Sequence, residues 1–273
     1  EDGIRVLVRS RGLGDGYKSQ VPFGPFFPGL PGGLGLTLTL DGDAVAETRV
    51  ESVVGAPIVT KGMTPAEFVD HFANLSPLSP VASRQLACLA LENAAGIIVD
   101  NKTATARTVA VERERIASYL GWLVNFATQS GLVWVERRAT ALQLSVQAAS
   151  LDQILANAGS LRAFLHRLNK TPMLRTKLAS NGRTNQGESL FGPVARAHGL
   201  ALDTRTDDAV YAALGFEVLT QNSGDALARL HQRCGEIDQS LDLISRAKDL
   251  SVAQIASLDG VSGTGKAVVE TPR

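Results

Sequence analysis

Val109–Phe126, VAVERERIASYLGWLVNF, carries the clearest pattern in the chain. Ile116, Leu120 and Leu123 fall on one face at helical spacing, with Tyr119 and Trp122 beside them, so the stretch reads as one amphipathic helix. Glu112, Arg115 and Ser118 recur every third residue and form a polar line along a neighbouring face. An Arg–Glu line of this kind belongs to an exposed or internally paired structural face.

A second such helix covers Ala226–Lys248. Leu227, Leu230, Cys234, Ile237, Leu241 and Ile244 recur at three and four residues, with Asp225 before them and Arg246 and Lys248 at the end, as the helix dipole favours. Between the two lie Leu132–Ala158, read as mostly helical with ERRATALQLSVQAAS continuous, and a separate helix at Leu161–Leu168 closed by Thr171-Pro172. Asn101–Ala106 reads as a short polar join. Thr64-Pro65-Ala66-Glu67 is a helix start: threonine as N-cap, proline at the first helical position, glutamate completing a capping box. His71 follows beside Phe68 and Phe72 and reads as packed or surface-exposed.

The N-terminal portion differs. Ile4, Val6 and Val8 suggest one short strand, and Arg11–Gln20 a linker. Val21–Gly35, VPFGPFFPGLPGGLG, is too rich in proline and glycine for a regular element, with Phe23, Phe26 and Phe27 as anchors. Leu36, Leu38 and Leu40 alternate with threonine, and Asp41-Gly42 signals a hairpin, giving a small antiparallel sheet from 34 to about 54. The expected division is 1–20, 21–58 and 59–273.

Composition narrows the function classes. The 273 residues contain 27 Lys+Arg and 27 Asp+Glu, so no global positive field is available for nucleic acid. No apolar run approaches the roughly 18 residues of a membrane span, and the first residues lack a signal-peptide pattern, which makes a cytoplasmic location the expectation. The two cysteines, Cys88 and Cys234, sit far apart on apolar helix faces and read as core residues. Gly260–Gly265, GVSGTG, lacks the spacing of a phosphate-binding loop.

The wording E-x-x-R-x-x-S-x-L-x-W-L at Glu112–Leu123 resembles a central helix of the large subunit of energy-converting nickel–iron hydrogenases and of the homologous D subunit of NADH:quinone oxidoreductase. Three further stretches carry the same resemblance in the same order. VPFGP, a strand, LDGDAV and a strand resemble the start of that fold. Gly192, Pro193, Arg196 and Gly199, then Asp203 and Arg205, match the family's G-P-x-x-R-x-S-G strand and its D-x-R. GDALARLHQRCGEIDQSLDLI matches G-D-x-x-x-R-x-x-x-R-x-x-E-x-x-x-S. GVSGTG then resembles the family turn before V-E-x-P-R-G.

The resemblance implies a mainly α, α+β architecture: a large helical domain with a small N-terminal antiparallel sheet. It also exposes departures. Of the family's His-Arg-Gly-x-Glu segment, aligned on Thr60–Thr64, only Gly62 remains. The quinone-facing tyrosine falls on Ala87, and Tyr119 replaces the histidine of S-H-L. The first nickel-ligand cysteines fall on Ser76 and Ser79, and a hydroxyl does not replace a thiolate as a nickel ligand. The sequence ends at Thr271-Pro272-Arg273, ahead of the region where the family carries its second cysteine pair.

The expectations are therefore no metal and no cofactor held by this chain, with iron–sulfur clusters in a partner subunit and membrane contact only through partners. Two roles fit: a non-metal large subunit of an electron-transferring complex, or an assembly protein that keeps the large-subunit shape. Arg196, Asp203 and Arg205 suggest either an anion site or an internal ion-pair network.

Overall fold

The computed structural model describes residues 18–26, 34–52, 61–184, 189–247, 249–255 and 263–272. The expected strand at Ile4–Val8, the Phe27 anchor, Thr60, Lys248 and the start of the GVSGTG loop lie outside these residues. The chain divides into two compact units, Glu1–Val59 and Thr60–Arg273.

The first unit is a three-stranded antiparallel meander, β1 (Lys18–Phe26), β2 (Leu34–Asp41) and β3 (Ala44–Ser52), in the order β1-β2-β3. Asp41 pairs with Ala44 across a two-residue turn in which Gly42 takes φ +66°, the conformation that makes glycine favourable there. β1 corrects two expectations: it occupies the end of the expected linker and runs into the proline-rich stretch expected to be irregular. Pro22 pairs with Thr37, and the register shifts between Phe23 and Phe26, across Gly24-Pro25. Proline is tolerated because β1 is an edge strand and only one side of it must form ladder bonds.

The second unit is helical: α1 (Pro65–Leu75), α2 (Pro80–Ala95), α3 (Asn101–Ser130), α4 (Val133–Gln147), α5 (Leu151–Asn169), α6 (Leu174–Leu178), α7 (Gly192–Ala197), α8 (Ala209–Ala213) and α9 (Ala226–Arg246), with a 3₁₀ turn at Thr204–Asp207. The Thr64 hydroxyl and the Glu67 carboxylate form the expected capping box with Pro65 at the first helical position. α3 runs 30 residues, about 45 Å at 1.5 Å per residue. It absorbs the expected join at Asn101–Ala106, because Asp100 accepts from Thr103 N at 3.0 Å and starts the helix there. Gly131, at φ +69°, ends it.

The continuous helix expected through Ser150 instead breaks after Gln147. Ser150 and Gln153 build a capping box that starts α5, and α5 takes in the separately expected Leu161–Leu168. The G-P-x-x-R segment is the short helix α7 rather than a strand, with Pro193 in its first turn.

The main core joins α3, α4, α5 and α9 through residues such as Ile116, Leu120, Leu123, Val135, Ile154, Leu161, Leu230 and Ile237, all essentially inaccessible. Cys234 belongs to this core. Cys88 packs in a second one with Val69, Ala87 and Ala253. His71 is half-buried on α1. A C-terminal segment, 263–272, lies against α2: a Cβ on Gly265 would stand 1.8 Å from the Ala90 carbonyl oxygen, and Asn93 Nδ2 donates to Lys266 O at 2.7 Å.

Candidate functional site

Three arginines are buried together where α3, α7, α9 and the C-terminal segment meet. Arg115 comes from α3, Arg196 from α7 and Arg205 from the 3₁₀ turn; their side chains are 0–2% exposed. Three equally buried carboxylates oppose them: Glu112, Asp203 and Glu236. Arg196 donates to both oxygens of Glu236, Nε to Oε1 at 2.8 Å and Nη2 to Oε2 at 3.2 Å. Arg205 takes Asp203 in the same two-pronged way, at 2.9 and 2.7 Å. Arg115 Nε donates to Glu112, three residues earlier, at 3.1 Å, and its other nitrogens reach the carbonyls of Glu270 at 2.8 Å and Thr271 at 3.2 Å. Arg196 also donates to Glu270 Oε1 at 2.7 Å.

Hydroxyls complete the cluster. Tyr211 and Ser240 each donate to Glu112 at 2.6 Å, and Tyr119 donates to Glu236 at 2.6 Å. Gln232 Nε2 donates to Glu236 Oε1 at 2.7 Å. Charges taken this far from water are tolerable only with such matching.

The electrostatics fix the protonation states. Burial pushes the Glu112 carboxyl upward, but Arg115 and Arg205 outweigh it and hold it down at about 2. Burial likewise opposes, and Arg196 overcomes, the ionisation of Glu236, also lowered to about 2. Burial, then the facing carboxylate, raises the Tyr119 and Tyr211 phenols, which keep their protons. Glu112 and Glu236 are therefore held as carboxylates facing the arginines, and the ion pairs tie α3, α7, the 3₁₀ turn and α9 together.

Five of the six residues expected to matter, Glu112, Arg115, Arg196, Asp203 and Arg205, meet in this cluster. Ser118 does not. A spacing of three falls short of a helical turn by about 60° per step, so the line from Glu112 drifts around α3. Ser118 lines a different cavity of about 280 Å³ with Pro77, Val81, Glu114, Gln143 and Gln147. That cavity borders the start of α2. Ser79 is the N-cap residue of α2 but makes no side-chain capping bond; Glu114 does it from α3, accepting from Val81 N at 2.7 Å and Ala82 N at 2.9 Å. Ser76 Oγ and Ser79 Oγ are bonded to each other at 2.9 Å. Two hydroxyls satisfying one another do not replace the thiolate pair of a nickel–iron site. Among the described residues no group of three or more His, Cys, Asp or Glu could hold a metal ion.

Sequence reasoning missed Glu236, Ser240, Gln232, Tyr211, Tyr119 and Glu270 as cluster members. A signal existed on α9: Gln232, Glu236 and Ser240 recur every four residues, a polar line beside the apolar stripe, and the last two are fixed letters of the family wording.

A cleft of about 410 Å³ opens beside the cluster, lined by Gln85 and Leu89 of α2, Thr108 and Val111 of α3, and Tyr211 and Glu270 among others. A shallower groove of about 470 Å³ lies on the far side of Thr204 and Glu270, lined by Phe191, Leu202 and Asp203.

Known proteins resemble this mainly helical domain, built on a buried arginine–carboxylate cluster, in sequence and in fold. The family described as "Respiratory-chain NADH dehydrogenase, 49 Kd subunit" matches residues 147–260. The D subunit of NADH-quinone oxidoreductase from Geobacillus kaustophilus is 25% identical across 82% of this chain and 72% of that protein. The H subunit of NAD(P)H-quinone oxidoreductase from Prochlorococcus marinus (MED4) is 23% identical across 84% of this chain and 68% of its own length. Among solved structures, the membrane-bound sulfane sulfur reductase, an archaeal respiratory membrane complex, superposes with a TM-score of 0.64 at 21% identity, covering 84% of this chain and 72% of that one. The chain is similar in sequence to the D subunits of NADH-quinone oxidoreductases and carries serine at positions 76 and 79. Among the described residues no helix is long and apolar enough to cross a membrane.

Proposed function

We propose that this protein is a non-metal, large-subunit-like component of an electron-transferring oxidoreductase complex, packing against an iron–sulfur subunit and reaching the cytoplasmic side of the membrane only through its partners. The observation that carries this reading is the arginine–carboxylate cluster, assembled largely from family-matched residues on α3, α7, the 3₁₀ turn and α9 (Glu112, Arg115, Arg196, Asp203, Arg205, Glu236 and Ser240). These positions match the family wording, while Ser76 and Ser79 stand where a nickel–iron site would need thiolates. Electron carriers, on this reading, belong to the partner, as iron–sulfur clusters held by its cysteines.

A second reading takes the paired Ser76 and Ser79 hydroxyls as its support: an assembly protein that borrows the large-subunit shape to hold a small subunit transiently. Affinity purification of the full chain from solubilised source membranes separates the two. Recovery of an iron–sulfur subunit and integral membrane subunits in near-stoichiometric amounts supports the complex. Recovery alone, or with traces of maturation factors in the soluble fraction, rejects it in favour of the assembly role.

A further inference from the structure

The shallow groove beside the cluster has an apolar lip that folding does not use. Phe191 is 77% exposed, Leu202 57% and Leu200 41%. Phe191 and Leu202 line the groove together, and Leu202 N donates to Leu200 O at 2.8 Å, which fixes the two leucines in one short turn of chain. Their exposure is imposed from beneath. Asp203 is extended, at φ −153° and ψ 119°, and its side chain is drawn inward by Arg196 and Arg205, so the neighbouring Leu202 side chain is turned outward. Phe191 occupies the N-cap position of α7, where serine, threonine or aspartate would bond the helix end, and it makes no such bond. Its large ring therefore contributes neither to capping nor to the core. Apolar side chains clustered on the surface in this way mark contact sites.

The charge around the lip is one-sided. Arg115, Arg196 and Arg205 face Glu112, Asp203 and Glu236 within the cluster, which closes to neutrality. Glu270, in the groove wall, and Asp207 and Asp208, on the adjoining turn, are left over, giving three positive groups against six negative. The three arginines are buried and cannot screen that excess at the surface, although the whole chain is neutral.

We infer that Phe191, Leu200 and Leu202, with Asp207 at the rim, seat a partner subunit through a segment that carries an apolar side chain flanked by lysine or arginine. The apolar side chain enters the groove against Phe191 and Leu202, and a basic residue meets Asp207. This rests on the reading of the chain as a complex subunit, and adds where one partner sits and what it must present. Apolar anchors in a pocket dominate binding, and the charged rim sets association rate and salt dependence.

The test uses the tagged full-length chain, purified with its complex from source membranes, with each co-purifying subunit measured against the bait by mass spectrometry. The F191S/L202S double substitution is expected to lower recovery of one near-stoichiometric subunit at least about tenfold, with an unchanged thermal midpoint, because both side chains are exposed. D207K is expected to lower recovery of the same subunit and weaken its salt dependence. I98S, at a site 94% exposed on another part of the chain, is expected to change neither. Conservative F191W/L202M should restore binding, which separates docking from misfolding. Undiminished recovery with F191S/L202S overturns the surface while leaving the complex intact. A wild-type chain that is a dimer, and loses that state in F191S/L202S, overturns the partner in favour of a second copy. A wild-type chain that recovers no subunit overturns the proposed function, and this inference with it.

Discussion

Arg196 and Glu236 lie 40 residues apart, on α7 and α9, and join through two parallel hydrogen bonds of 2.8 and 3.2 Å with both side chains buried. Removing the charge of one partner leaves the other buried and unmatched. E236Q is therefore expected to destabilise the fold by about 3–5 kcal/mol, visible as a lower midpoint in urea at pH 7. A loss under about 1 kcal/mol would mean that Asp203 and Glu270 can hold Arg196 alone.

Acid should unfold this protein through the same cluster. Glu112 and Glu236 are lowered to about 2 in the folded state from an ordinary value of 4.5. A depressed carboxyl contributes stability that is present above the unfolded value and is lost as pH falls from about 4.5 toward 2. Glu114 runs the other way: burial raises its carboxyl despite the amides of α2, so its contribution is present below 4.5 and falls as pH rises through its folded value. The two lowered groups outnumber it. Stability should therefore fall with acidification, with net proton uptake on unfolding between pH 2 and 4.5, measurable by urea titrations across that range. A flat profile would show that the cluster does not govern acid stability.

Two glycines should respond oppositely to alanine. Gly159, within α5, has open space where a Cβ would go, so G159A should stabilise by about 0.5–1 kcal/mol through helix propensity. At Gly265 the added Cβ would meet the Ala90 carbonyl at 1.8 Å and the Ala94 nitrogen at 2.7 Å, both backbone atoms. G265A should lift the C-terminal segment from α2, loosen Glu270 and Thr271 from Arg115, and speed amide exchange in residues 266–271. Wild-type exchange there would show that the segment is not held at this contact.

Cys88 and Cys234 should be inert in the native protein. Burial pushes their thiols up to about 11 and about 12, so thiolate is scarce at pH 8. Alkylation with iodoacetamide should be slow until urea exposes both, with one added group per cysteine by mass. Rapid native labelling at Cys234 would show that the cavity beside it, near His166 and His231, opens readily.

Elements whose signals are local can be read from the chain without its fold. The α9 apolar stripe, the Thr64–Glu67 capping box, the Asp41-Gly42 hairpin and the core placement of both cysteines follow from periodicity and turn chemistry, which depend on near neighbours. Val109–Phe126 is legible as a helix, though its true start at Asn101 depends on the Asp100 cap. β1 is not legible, because Pro22 and Pro25 argue against a strand until the sheet shows that they lie on an edge. Which polar residues meet is a property of the folded molecule alone. Arg196 finds Glu236 across 40 residues, Glu112 finds Ser240 across 128, and Ser118 turns away from both. Those encounters depend on how α3, α7 and α9 cross. Burial then converts charges that look like a solvated face into a matched ionic core, because charges removed from water are tolerable only when paired.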